Sequence, residues 1–191
     1  MTAVEVAASE PARFAPHAEW FVCGEHGGFY CVQAWAPAER LLDHVHALAA
    51  HLGSAGDARM SATVDGTVDV AVDVSVHHVS SSRRWAGTHA AVSAVRDALT
   101  RVRLALAAYG GVELSLATDS EQLVLTPDLR LVVYSTTPRW PYLCEARGLT
   151  ERLVLPAPDW VAPTRVGESP AALTQALELF AQRLGLLAVH A

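Results

Sequence analysis

Between positions 67 and 76 every second residue is valine. Val68, Val70, Val72, Val74 and Val76 interleave with Thr67, Asp69, Ala71, Asp73 and Ser75. A period of two puts the valines on one face and predicts a half-buried strand. Further along, Val92, Val95, Leu99, Val102, Leu106 and Tyr109 are spaced by 3, 4, 3, 4 and 3 positions, the spacing of one helix face. Ser80, Ser81 and Ser82 offer N-caps and Gly110-Gly111 a stop, which predicts a long helix over approximately residues 83–109.

The remaining pattern fills in around these two segments. EWFVC and FYCVQAW flank GEHGG, aromatic and β-branched runs on either side of a glycine turn, and predict a hairpin over residues 20–35. Pro37 stands near a helix start, and Leu41, Leu42, Val45, Leu48, Ala49 and Leu52 supply that helix with a buried stripe, ended by Gly53. A second hairpin is predicted across Asp65-Gly66, pairing Ala62 with Val70 and Met60 with Val72 through a bulged or longer loop. VELSLAT and EQLVLT predict a third hairpin around Asp119-Ser120, and LRLVVYST another strand after Pro127-Asp128. Residues 138–168 read as an irregular insertion holding Trp140 and Trp160, with one short strand at ERLVLP. A last helix begins near Ser169-Pro170, with Leu173, Leu177, Phe180 and Leu184 on one face.

The expected architecture is therefore α+β. An antiparallel sheet packs on a long central helix, with N- and C-terminal helices alongside, in one domain over residues 19–191 behind a loose arm at 1–18. From Pro37 onward the order is helix, two strands, long helix, three strands and terminal helix. With GGVELSLATDSEQLVLTPDLRLVVYSTT after the long helix, that order resembles the Roadblock/LC7 family of profilin-like domains over approximately residues 37–136 and 169–187. The resemblance implies a non-enzymatic module that dimerises through its second helix and an adjoining strand edge. Such modules act as scaffolds or regulators. The family pattern supplies no catalytic residue to carry over.

Composition narrows the function classes. The 191 residues are 51% hydrophobic and 18% charged, with a formal charge of −6. That balance argues against bulk attraction to nucleic acid or to an anionic membrane. All fourteen basic residues are arginine, which a GC-rich coding bias explains without a mechanism. Apolar runs stop well short of the roughly 20 residues that span a bilayer. The opening MTAVEVAASEPARFAP carries acid where a signal peptide carries base, so the expected setting is cytoplasmic. Three cysteines make no disulfide framework and are expected to be thiols.

Several residues could carry chemistry. Ser82, Arg83, Arg84 and His89, with His77 and His78 before them, gather at the predicted strand-to-helix junction. A helix N-terminus with two arginines could hold a phosphate or carboxylate; ordinary serine capping with solvated arginines explains the same residues. His44 and His51 lie near one face of the first helix and read as part of a polar surface, since two helical histidines seven apart are about 10 Å apart along the axis. Cys23, His26 and Cys31 supply only three potential zinc ligands, and no metal or cofactor is expected. Cys144 is the least buried-looking thiol, with Arg147 beside it. No nucleophile elbow, P-loop or dinucleotide fingerprint occurs.

Ala91, Ala94, Ala98, Ala105 and Ala108 form a small-residue side of the long helix where another element can approach closely. Asp97 and Arg101 are spaced for an i,i+4 pair. Trp140 either anchors its segment or protrudes as a binding hot spot. The leading expectation is a non-enzymatic interaction or regulatory module that binds a protein partner or itself as a homodimer. An anion-binding domain or small enzyme at residues 77–89 and an inhibitor or immunity-type protein for a basic partner are the alternatives.

Overall fold

The computed structural model describes residues 19–53, 68–76, 83–153 and 171–189. Two strands open the described chain, β1 (Trp20–His26) and β2 (Phe29–Trp35). Their turn is only Gly27-Gly28, both with positive φ, +59° and +83°. Two successive left-handed residues are what a tight hairpin turn asks of the backbone, and glycine meets that demand without steric cost. The hairpin joins the main sheet: β2 pairs antiparallel with β7 (Leu131–Ser135).

Helix α1 (Ala38–Ala49) buries Leu41, Leu42, Val45, Leu48 and Ala49 as its pattern predicts. It tightens into a turn of i→i+3 bonds, Ala50 to Ala47, His51 to Leu48 and Leu52 to Ala49. Gly53 follows at φ +67°, where a Cβ would stand 2.4 Å from Val68 Cγ1. Both the backbone and the space there require glycine.

Strand β3 (Asp69–Val76) buries Val70, Val72, Val74 and Val76 on one face, as the alternation requires. Its partners differ from the expected ones. The predicted pairing with Met60 and Ala62 falls outside the described residues, and β3 is instead flanked by β4 (Arg83–Ala91) and β5 (Val112–Ala117).

Here the long-helix expectation is corrected. Residues 83–91 are strand, and α2 runs only over Val92–Tyr109. The helical apolar spacing itself starts at Val92; the extension back to 83 rested on serines that lie outside the described residues. RRWAGTHAA carries Gly87, a poor residue inside a helix. As a strand it buries Trp85 and Ala90 and pairs with β3, with a register shift between Val70 and Val72 opposite Thr88 and His89.

Strands β5, β6 (Glu121–Leu125) and β7 meander as the apolar runs predict. The segment expected to be irregular contains α3 (Trp140–Ala146) and β8 (Thr150–Glu151). Helix α4 (Ala171–Leu184) buries Leu173, Leu177 and Phe180, and Gly185 turns the chain into β9 (Leu187–Val189), a strand that the apolar pattern did not predict. The sheet order is β8-β1-β2-β7-β6-β5-β3-β4-β9. It is mixed rather than antiparallel throughout, because β8 lies parallel to β1. The fold class is α+β. One core joins the valines of β3, the leucines of β5 and β6, and the buried stripes of α1, α2 and α4. No helix among the described residues is long and apolar enough to cross a membrane.

Candidate interaction surface

Two polar clusters lie inside the fold, and neither was visible as a cluster in the sequence. Glu121 opens β6 on the same face as Leu123 and Leu125 and is buried with them. Its Oε1 accepts hydrogen bonds from Ser135 Oγ at 3.0 Å, Arg139 Nε at 3.1 Å and Trp140 Nε1 at 2.9 Å. Its Oε2 accepts from the Gly53 amide at 3.0 Å and Arg139 Nη2 at 2.6 Å. The same Nη2 donates to the His51 carbonyl at 2.6 Å. One carboxylate thus ties the end of α1 to β6, β7 and the start of α3. Such a network offsets the desolvation of a buried charge only when its members are satisfied. Trp140, readable as an anchor or as a binding hot spot, is fully buried and anchors α3 through its indole N–H, so it is not available to an interface. An acidic residue in phase with an apolar strand face is the sequence signal that points to Glu121.

The second cluster corrects the reading of His44 as part of a polar surface. His44 sits three residues after Leu41 and four before Leu48, within the buried stripe, and has no solvent exposure. Its Nε2 lies 2.6 Å from Glu19 Oε2, and Arg40 Nε donates to Glu19 Oε1 at 2.8 Å. Burial pushes the His44 pKa below its usual value, against the opposing pull of Glu19. A neutral ring donating from Nε2 to the carboxylate fits that direction and leaves the buried Nδ1 an unpartnered acceptor. Burial raises the Glu19 pKa, but the hydrogen bonds from Arg40 and His44 and the charge of Arg40 outweigh it, and the net shift is downward.

The cysteines are unpaired thiols. Cys144 is fully buried rather than the most accessible, because α3 turns it inward beside Trp140, and burial pushes its pKa up to about 12. Cys23 is likewise pushed up to about 12, first by burial and then by Glu151. Neither has the thiolate character of a nucleophile. Among the described residues no three His, Cys, Asp or Glu side chains are grouped to hold a metal ion.

The proposed anion corner loses its helix. Ser82 lies outside the described residues, and Arg83, Arg84 and His89 stand on strand β4. Neighbouring strand residues face opposite ways, so Arg83 reaches Glu178 of α4 at 3.1 Å while Arg84 makes a bidentate pair with Asp73 of β3. His89 lies at the bulge at the far end of the same strand.

The alanine side of α2 is divided. Ala91 belongs to β4 and only leads into the helix, Ala94 is exposed, Ala105 is half-buried against the core, and Ala98 is buried. Ala98 lies in a groove of about 500 Å³ between α2 and α4. Val102, Ala176 and Phe180 line it with Ala98; Leu179, Gln182, Arg101 and Arg183 stand at its exposed margin. The expected Asp97–Arg101 pair is not formed; neither Arg101 nor Arg183 has a carboxylate partner among the described residues, whereas Arg40, Arg83, Arg84, Arg103, Arg130 and Arg139 each do. At the sheet edge beside this region, β9 pairs with β4 alone among the described residues and exposes Leu187 at 74% and Val189 at 40%. Comparison with known proteins found no matching family model, no matching curated protein and no matching solved structure.

Proposed function

We propose that this chain is a cytoplasmic, non-enzymatic protein-interaction module that self-associates, with β9 as the contact between copies. The observation that carries this reading is the β9 edge. A terminal strand leaves a row of backbone N–H and C=O groups unpaired, the template on which another strand adds. Sheets that avoid such addition shorten the edge strand or place lysine, proline or inward charge on it; β9 has only three residues, but none of them is charged or proline. Here the edge presents Leu187 and Val189 instead. The resemblance of the element order to Roadblock/LC7 domains supports self-association, though it points to the second helix and an adjoining edge rather than to β9, and the three unpaired thiols suit a reducing compartment. The buried carboxylates serve the fold: Glu121 is saturated by internal donors.

The test is solution mass by light scattering over at least a tenfold concentration range, set against the 20.4 kDa chain. The expected result is twice the chain mass for the wild type and the chain mass for Leu187→Lys and Val189→Lys, both surface changes that leave the core intact. A monomer at every concentration, or a dimer indifferent to both lysines, overturns the proposal.

A further inference from the structure

The groove between α2 and α4 has a surface chemistry unlike the rest of the molecule. Its floor is apolar, made by Ala98, Val102 and Phe180, and Leu179 at its lip is 57% exposed. The floor side chains are themselves buried, so the apolar surface left to water here is chiefly that of Leu179 at the lip. Arg101 stands on one wall and Arg183 on the other, both exposed and without a carboxylate partner among the described residues. Ala98 contributes the smallest side chain of that floor.

We propose that this groove docks an acidic amphipathic helix of a partner protein, with apolar side chains on the Val102–Phe180 floor and carboxylates on Arg101 and Arg183. The inference builds on the interaction-module reading but uses a surface separate from the β9 edge. Three considerations select this occupant. Small-molecule sites bury most of their ligand, whereas half of this groove's lining residues are themselves exposed, so it is a trough along two helices. The lining on α4 runs from Ala176 to Arg183, about 10 Å of helix, which suits anchors spread from i to i+7. Two cations flanking an apolar strip are complementary to acid on either side of an apolar stripe. The chain's net charge of −6 does not oppose this at contact range, because physiological salt screens beyond about 8 Å.

The experiment uses the full chain and two series of fluorescein-labelled, helix-stabilised peptides read by fluorescence anisotropy. Both series carry leucine at i, i+3, i+4 and i+7; the flanking positions are glutamate in one and lysine in the other. The wild type is expected to bind the glutamate series at least about tenfold more tightly. The double variant R101E/R183E is expected to reverse the preference, and Leu179→Asp to weaken binding of the glutamate series by about tenfold or more. Circular dichroism and unchanged thermal midpoints establish that these exposed substitutions leave the fold intact. Equal binding of both series, binding of neither, or a preference that R101E/R183E leaves unchanged overturns the proposal. A dimer that Leu179→Asp converts to monomer assigns the groove to a second copy, and displacement of both series by dodecanoate assigns it to a small amphiphilic acid; either result overturns it too. Loss of dimerisation by the β9 lysine variants with peptide binding intact separates this site from the self-association reading.

Discussion

Arginine is used in two opposite ways on the two flanks of this fold. On the α1 side, Arg139, Arg40 and Arg103 are each committed to a carboxylate: Glu121 at 2.6 Å, Glu19 at 2.8 Å and Asp43 at 2.7 Å. On the α4 side Arg83 reaches Glu178 in an exposed pair, but Arg101 and Arg183 border an apolar groove with no carboxylate partner among the described residues. The first arrangement closes the molecule and the second leaves it open. Of the three pairs on the α1 side only Arg139–Glu121 is largely buried, Arg40 and Arg103 being about half exposed; a buried charge must be satisfied within the fold or the fold fails. An exposed one is satisfied by water and is free to meet something else.

The largest expected effect lies on the closed side. Glu121→Ala leaves the Arg139 guanidinium, the Trp140 indole N–H, the Ser135 hydroxyl and the Gly53 amide without their shared acceptor. Loss of one partner from a buried pair costs about 3–5 kcal/mol. Urea denaturation followed by tryptophan fluorescence should show a correspondingly lower midpoint. A midpoint within experimental error of the wild type would mean that Glu121 does not tie α1 to α3.

A smaller effect tests the second closed cluster through pH. The folded-state pKa of His44 is lowered, so the fold favours neutral His44. Its contribution is whole above the ordinary value of 6.5 and is lost as pH falls from there through the depressed folded value. Glu19 shifts in the same direction, and its contribution is whole above 4.5 and fades below it. Thermal midpoints should therefore decline as pH falls from 7.5 to 5.5, and His44→Leu should flatten that decline while Glu19 keeps Arg40. An identical slope in the variant would place the acid sensitivity elsewhere, with His46 and His51 next in line because burial lowers both.

The smallest effect belongs to the open side. R101E/R183E should change unfolding stability by no more than about 0.5 kcal/mol, as surface substitutions away from buried networks do. A loss of several kcal/mol would show that these arginines brace the fold, and the contrast between the flanks would disappear.

The residues that were readable from sequence share one property: their partners are near neighbours or merely apolar. The valine alternation of β3, the leucine stripes of α1 and α4, the Gly27-Gly28 turn and the β5–β7 meander follow from local periodicity and backbone preference. Arg83–Ala91 misled because no strong period runs through it, and its identity as a strand rests on pairing with β3 and β9. Nothing within those nine residues specifies either partner.

The polar sites depended on the tertiary structure for the same reason. Glu121 meets Gly53 across 68 positions, and His44 meets Glu19 across 25. Sequence did contain a trace of each, an acid in phase with leucines and a histidine within a buried stripe. Hydrophobic burial is non-directional and accumulates along a segment, so pattern alone determined which faces turn inward. A hydrogen bond needs two particular atoms about 3 Å apart. Only the folded chain decides which distant carboxylate arrives beside which donor, and which arginines are left facing outward.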